Sequence, residues 1–136
     1  IRSLMTKAGI TNAASYDIVD GCGLSLYDYL SPHAEVMMLR YAWSHKDIYD
    51  PLYPLLPIAA RDGTLRKRMH GTRAAGNVHA KTGTVTGVRS LCGYLTAANG
   101  HHIAFSIINQ GVNGDDGTAS EARNLQDRIC EMLCNP

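Results

Sequence analysis

The strongest constraint on what this chain can fold into is a set of three β-type segments with almost no chain between them. Val78 to Val85, Ser90 to Thr96 and His101 to Asn109 read as strands. Their connections are too short for a crossover helix, so successive strands are expected to pair antiparallel. Ala98-Asn99-Gly100 marks the second connection as a hairpin, because Asn-Gly tolerates the positive φ angles of tight turns.

Helices are expected on either side. Ser31 followed by Pro32 opens PHAEVMMLRYAWSH, where Val36, Leu39 and Trp43 form one stripe with Met37 or Arg40 beside it, ending near His45. A final helix from about Thr118 repeats Leu125, Ile129 and Leu133, flanked by Cys130 and Met132, and should cover one face of the sheet. Between them PLYPLLP argues for an irregular crossing from Asp50 to Ala60, and a short helix is expected around Thr64 to Met69. The fold class is thus α/β (α+β), an antiparallel sheet with flanking helices. The opening IRSLMTKAGI reads as the tail of a helix closing at Gly9, so truncation at the N-terminus is expected.

At 136 residues and 45% hydrophobic content the chain has enough apolar material for one core, with no internal repeat. A net charge of +1, with both signs interspersed, points to no nucleic acid. Arg66-Lys67-Arg68 with His70 and Arg73 is expected to be a solvated helix face. No apolar run reaches the roughly 20 residues of a membrane span. Cys130 and Cys134 could share a helix face near a metal, but no second ligand pair at zinc spacing accompanies them, so buried structural thiols are expected and neither metal nor cofactor is implied.

The chemistry concentrates in His79-Ala80-Lys81-Thr82-Gly83-Thr84. On a strand, Lys81 and Gly83 face one way and Thr82 the other, so an ammonium can reach a cleft. Gly83 permits close approach to the strand, whose N–H and C=O groups can pair with an extended peptide. Thr84, assigned to the face of Lys81, could donate its hydroxyl to a terminal carboxylate.

Lys-Thr-Gly is a signature of penicillin-binding proteins and β-lactamases. Together with DGTLRKRM, GTRAAGNVHAKTGTVTGVRSLCGYL, HHIAFSIINQG and the upstream Asp20-Gly21-Cys22-Gly23-Leu24-Ser25, it resembles the C-terminal third of the D-Ala-D-Ala carboxypeptidase/endopeptidase family of low-molecular-mass penicillin-binding proteins. The resemblance implies part of a β-lactamase/transpeptidase-like fold, with residues 1–136 as its C-terminal portion. It also implies a serine acyl-transfer enzyme of the periplasm or cell envelope, acting on peptidoglycan stem peptides and acylated by β-lactams. Lys81 is the implied catalytic residue, supplying positive charge. Thr82, Gly83 and Thr84 bind substrate, and a backbone N–H of the strand completes the oxyanion hole. No serine has Lys three positions later and no Ser-x-Asn occurs, so the chain lacks a nucleophile paired with its base and is expected to be inactive alone. The alternative is a non-catalytic module that binds peptidoglycan peptides. Missing sheet neighbours would leave an edge and an apolar helix face exposed, making a homodimer of the chain possible.

Cys22 stands where the family has Ser and Asp28 where it tends to have Asn; a turn role is expected for Cys22, and any bond needing an amide donor at position 28 is in doubt. His79 is expected to be a satisfied, partly buried histidine, His101-His102 solvent-facing or strand-edge residues, and Asp115-Asp116 a polar turn rather than a calcium site.

Overall fold

The computed structural model describes residues 1–112 and 117–135; Asp115-Asp116 lies outside the described residues. Helices α1 (Arg2–Lys7), α2 (Pro32–Ser44), α3 (Lys46–Leu52) and α4 (Thr118–Cys134) accompany strands β1 (His79–Val85), β2 (Gly87–Thr96) and β3 (His102–Val112). The strands form one antiparallel sheet in the order β1-β2-β3, as the short connections require. The first hairpin turns through Thr86-Gly87, with Val85 paired to Val88 and Gly87 at φ +77. The second closes with Gly100 N donating to Ala97 O at 2.9 Å, and Gly100 at φ +83. Asn99 does not share the positive φ; its side chain accepts the His101 N–H at 3.1 Å instead.

Alternation along the strands gives the sheet two different faces. One carries Ala80, Leu91, Leu95 and Phe105 and packs on Cys130, Leu133 and Cys134 of α4, so both cysteines of the last helix are buried in the main core. Leu65, Leu91 and Leu95 are among its fully buried side chains, each stabilising the fold by roughly 1.5–3 kcal/mol. The inward line of α4 is Ala119, Ala122, Gln126, Cys130 and Cys134, while Leu125 is exposed. The expected Leu125-Ile129-Leu133 stripe is therefore displaced. Small side chains let the helix lie close to the sheet, and Gln126 is admitted because its amide donates to Asn109 Oδ1 at 2.9 Å and Arg89 O at 3.1 Å.

The other face meets α2. Ser31 caps that helix by accepting from Ala34 N at 3.1 Å, and the Tyr16 hydroxyl bonds Ser31 Oγ at 2.8 Å. Its fully buried positions are Ala34 and Ala42, not Val36, Leu39 and Trp43, because α2 is wedged between the sheet and a second apolar cluster that includes Met5, Ala8, Ile10 and Ala13.

Two local expectations fail. Helix α3 extends through Pro51, followed by a 3-10 turn at Tyr53–Leu55; in so short a helix the proline removes only one bond, and the affected carbonyl belongs to exposed Asp47. No helix spans Thr64 to Met69, where a 3-10 turn covers Gly63–Leu65 and Met69 takes φ +61. Nor is Arg68 solvated: it pairs with Asp127 at 2.6 Å. Leu24, Leu26, Tyr27 and Tyr29 stand out from the loop before α2, and a groove of about 430 Å³ lined by Leu4, Met5, Leu30, Met38, Ile48 and Leu52 runs along the helices.

Candidate active site

Strand β1 lies at the sheet's edge, and its outer side is closed at one end only. Ala80 N donates to Pro57 O at 2.9 Å, and Val78 O accepts from Ala59 N at 2.9 Å. Successive residues alternate in the direction of their backbone groups, so Thr82 and Thr84 also present N–H and C=O outward, beyond the end of this pairing. Lys81 donates from Nζ to Thr82 O at 2.7 Å, so its ammonium already reaches over that edge.

The motif divides between the two faces. Lys81, Gly83 and Val85 share the α2 side with their register partners Cys92, Ser90 and Val88. Thr82 and Thr84 lie on the α4 side, which corrects the assignment of Thr84 to the face of Lys81: an odd separation along a strand reverses the face. The half-buried Thr82 hydroxyl donates to Thr64 Oγ1 at 3.0 Å, bringing the Gly63-Thr64-Leu65 turn against the motif. At Gly83 an added Cβ would collide with Ser90 Oγ. The space that glycine leaves on this face is thus taken by a neighbouring hydroxyl.

A cleft of about 470 Å³ separates the β1–β2 hairpin from the loop ahead of α2, with Gly83, Thr84 and Ser90 on one side and Ser25, Asp28 and Leu30 on the other. Two carboxylates shape the loop. Asp20 accepts from Gly23 N at 2.6 Å, Ser25 N at 2.8 Å and Cys22 N at 3.0 Å. These contacts, that to Gly23 foremost, hold its carboxyl below the usual range. Asp28 accepts from Val19 N at 2.6 Å; this bond uses an acceptor, so an aspartate serves where an amide donor was in doubt. Cys22 is exposed, and its thiol donates to Asp20 Oδ2 at 3.4 Å, placing it within the turn.

Beneath Lys81 on the same face, Glu35 of α2 accepts from Ser106 Oγ at 2.6 Å. Burial, reinforced by Glu35, pushes the neighbouring Cys92 thiol up to about 12. Sequence reading missed Glu35, Ser106 and Thr64 because only the folded register joins them to the motif. His79 is not fully satisfied: it stacks on Tyr53 at 4.3 Å, its Nδ1 has no hydrogen-bond partner, and burial lowers its pKa. His101 and His102 are both exposed at the hairpin.

This combination, a Lys-Thr-Gly edge strand beside a cleft and a helix-backed antiparallel sheet, defines part of a β-lactamase/transpeptidase-like fold. Residues 1–133 match the D-Ala-D-Ala carboxypeptidase 3 (S13) family, and the chain belongs to that family. It is 39% identical over 127 residues to penicillin-sensitive carboxypeptidase A of Dictyostelium discoideum, a match covering 87% of this chain and 23% of the relative. It is 40% identical over 119 residues to a D-alanyl-D-alanine carboxypeptidase of Actinomadura sp. (strain R39), covering 84% and 21%. The chain therefore spans about a quarter of the length of these relatives. The crystal structure of penicillin binding protein 4 from Haemophilus influenzae, complexed with a β-lactam, superposes with a TM-score of 0.77 at 31% identity, covering 96% of this chain and 32% of that one. The TLA-1 β-lactamase shares the fold, with a TM-score of 0.67 at 19% identity, over 97% of this chain and 51% of that one.

Proposed function

We propose that this chain forms one wall of the active site of a serine-type D-Ala-D-Ala carboxypeptidase acting on peptidoglycan stem peptides. The observation that carries the reading is the open outer edge of β1 beyond Ala80, where Thr82 and Thr84 offer backbone groups and Lys81 places its ammonium at the rim. A peptide docks there as an added strand, a strand N–H such as that of Thr84 stabilises the oxyanion, and Lys81 supplies positive charge. Residues 1–136 serve as the C-terminal portion of the penicillin-binding domain. The serine nucleophile and its base come from outside these residues, since neither Ser-x-x-Lys nor Ser-x-Asn occurs in the sequence. Family membership supports a periplasmic or cell-envelope location for the working enzyme, and the β-lactam complex of a similar protein supports β-lactams as its covalent inhibitors.

Labelling with a fluorescent penicillin tests this, comparing the chain with a version extended through its native upstream sequence. The extended protein alone should label, and Lys81→Ala in it should nearly abolish acylation. Unchanged acylation of that variant would remove the role given to Lys81. The same missing motifs favour a second reading, a peptidoglycan-binding module without catalysis, which gains if the extended protein binds stem peptide but does not label.

A further inference from the structure

Charge along the chain is less even than its total suggests. Between Gly63 and Val112 the sequence holds six Lys and Arg residues and no Asp or Glu. Lys81 and Arg89 belong to the sheet, and Arg68 pairs with Asp127. The other three, Arg66, Lys67 and Arg73, fall in the loop between the Gly63–Leu65 turn and β1. Leu65, Met69 and Ala74 are buried in the main core and pin the inner side of this loop. The side chains between those anchors turn outward, and Arg66, Lys67, His70 and Arg73 are all exposed. Arg61, exposed as well, extends over Gly76 just past Arg73, where an added Cβ would stand 2.9 Å from its Nη2. Asp62 is the nearest acid in sequence, and its Oδ1 accepts from Ile58 N at 2.7 Å. Arg61, Arg66, Lys67 and Arg73 have no ion pair among the described residues.

Like charges gathered in one loop repel each other, and a surface of opposite sign relieves that repulsion. Exposed and spread along the loop, these cations suit an extended anionic surface rather than the enclosure of one small anion. An apolar side chain stands beside them. Leu55 is 79% exposed, and it lies two residues before Pro57, whose ring an added Cβ at Gly63 would meet at 3.0 Å. Cations flanked by an exposed leucine match the boundary between lipid headgroups and acyl chains. We infer that Arg61, Arg66, Lys67 and Arg73, with Leu55 beside them, form a docking surface for an anionic phospholipid membrane. Clusters of about four to eight Lys and Arg bind anionic headgroups, each cation adding about fivefold to affinity. Thr64, in the turn that opens the loop, is bonded to Thr82 of the Lys-Thr-Gly strand at 3.0 Å, so docking holds the edge of β1 close to the headgroups. The inference goes beyond the proposed function and does not depend on which peptide β1 receives.

The test is co-sedimentation with vesicles, for the 136-residue chain and for the protein extended through its native upstream sequence. Vesicles of phosphatidylcholine and phosphatidylglycerol in equal parts should bind both proteins, and vesicles of phosphatidylcholine alone should bind neither. Raising the ionic strength from about 0.01 M to about 0.15 M shortens the Debye length from about 30 Å to about 8 Å and should release most of the bound protein. Arg66→Gln combined with Lys67→Gln should weaken binding about 25-fold, fivefold for each charge, and leave penicillin labelling of the extended protein unchanged. Lys7→Gln combined with Lys46→Gln removes the same charge from exposed positions outside this loop and should weaken binding by less than about threefold. Leu55→Ser should weaken it by roughly threefold to tenfold; no change would remove the leucine and with it the preference for a bilayer. Equal losses in the two double variants would mean that net charge alone attracts the lipid, which overturns the docking surface. Binding by the chain but not by the extended protein also overturns it, because the upstream part then covers the loop. Binding of soluble polyphosphate that is lost in the Arg66→Gln, Lys67→Gln variant, with no binding to either vesicle, overturns the membrane surface and assigns the cations to a soluble polyanion. Failure to bind vesicles and polyphosphate alike overturns the inference.

Discussion

Gly93→Ala should damage this fold far more than the same change at Gly83, although both glycines lie on the paired β1 and β2 strands. Gly93 faces Ala80, and an added Cβ would sit 2.6 Å from the Ala80 Cα, 2.7 Å from its Cβ, and closer still to the His79 carbonyl oxygen. Those atoms belong to a hydrogen-bonded strand and cannot rotate away, so relief requires moving β1 off β2. Overpacking of this kind costs about 1–3 kcal/mol, a large share of the roughly 5–15 kcal/mol that stabilises a domain. At Gly83 the near obstacle is Ser90 Oγ, and the Ser90 Cβ stands at an ordinary 3.5 Å. A change of serine rotamer relieves that contact at about 1 kcal/mol or less. With urea m-values of about 1–3 kcal/mol/M, a loss of ~2 kcal/mol lowers the midpoint by about 1 M. Urea titrations followed by far-ultraviolet circular dichroism should therefore show Gly93→Ala shifted by about 1 M and Gly83→Ala by less than half as much. Equal shifts, or the reverse order, would refute the argument that backbone contact fixes the β1–β2 spacing.

Thiol titration with a chromogenic disulfide should find Cys22 reacting at once in the native protein and Cys92, Cys130 and Cys134 only on unfolding, since Cys22 alone is exposed; prompt reaction of a second thiol would contradict the burial described. Burial pushes Cys92, Cys130, Tyr49 and Tyr94 up to about 12. The unfolded chain thus releases these protons first as pH rises, so their stabilising contribution is intact below pH 9.0 and declines from there towards about 12. Melting temperatures that stay level above pH 9.0 would count against it. Gln126→Ala removes the donor to Arg89 O and Asn109 Oδ1 and should cost roughly 1–3 kcal/mol in urea unfolding; a neutral result would mean that water replaces the amide.

The two hairpins were legible in the sequence because connections as short as Thr86-Gly87 permit little else. Helix faces were harder to read. Counting large apolar residues selected Leu39 and Leu125, whereas the buried positions of α2 and α4 include Ala34, Ala42, Ala119 and Ala122, whose small size carries a weak periodic signal. At the site, the residue types of Lys81, Thr82, Gly83 and Thr84 were enough to find the strand, but placing Thr84 needed the parity of the strand itself.

The Pro57 carbonyl on Ala80 turns the edge of β1 into a berth with a closed end. From Thr82 to Val85 the available length is about 13 Å at ~3.3 Å per residue, with two outward rungs. A peptide docked there as proposed would have to leave the sheet where Pro57 begins, so the edge would grip only a short segment. Its reach is set by the proline crossing, and lengthening or trimming residues 54–58 would change how much chain it accepts without altering any residue of the Lys-Thr-Gly strand.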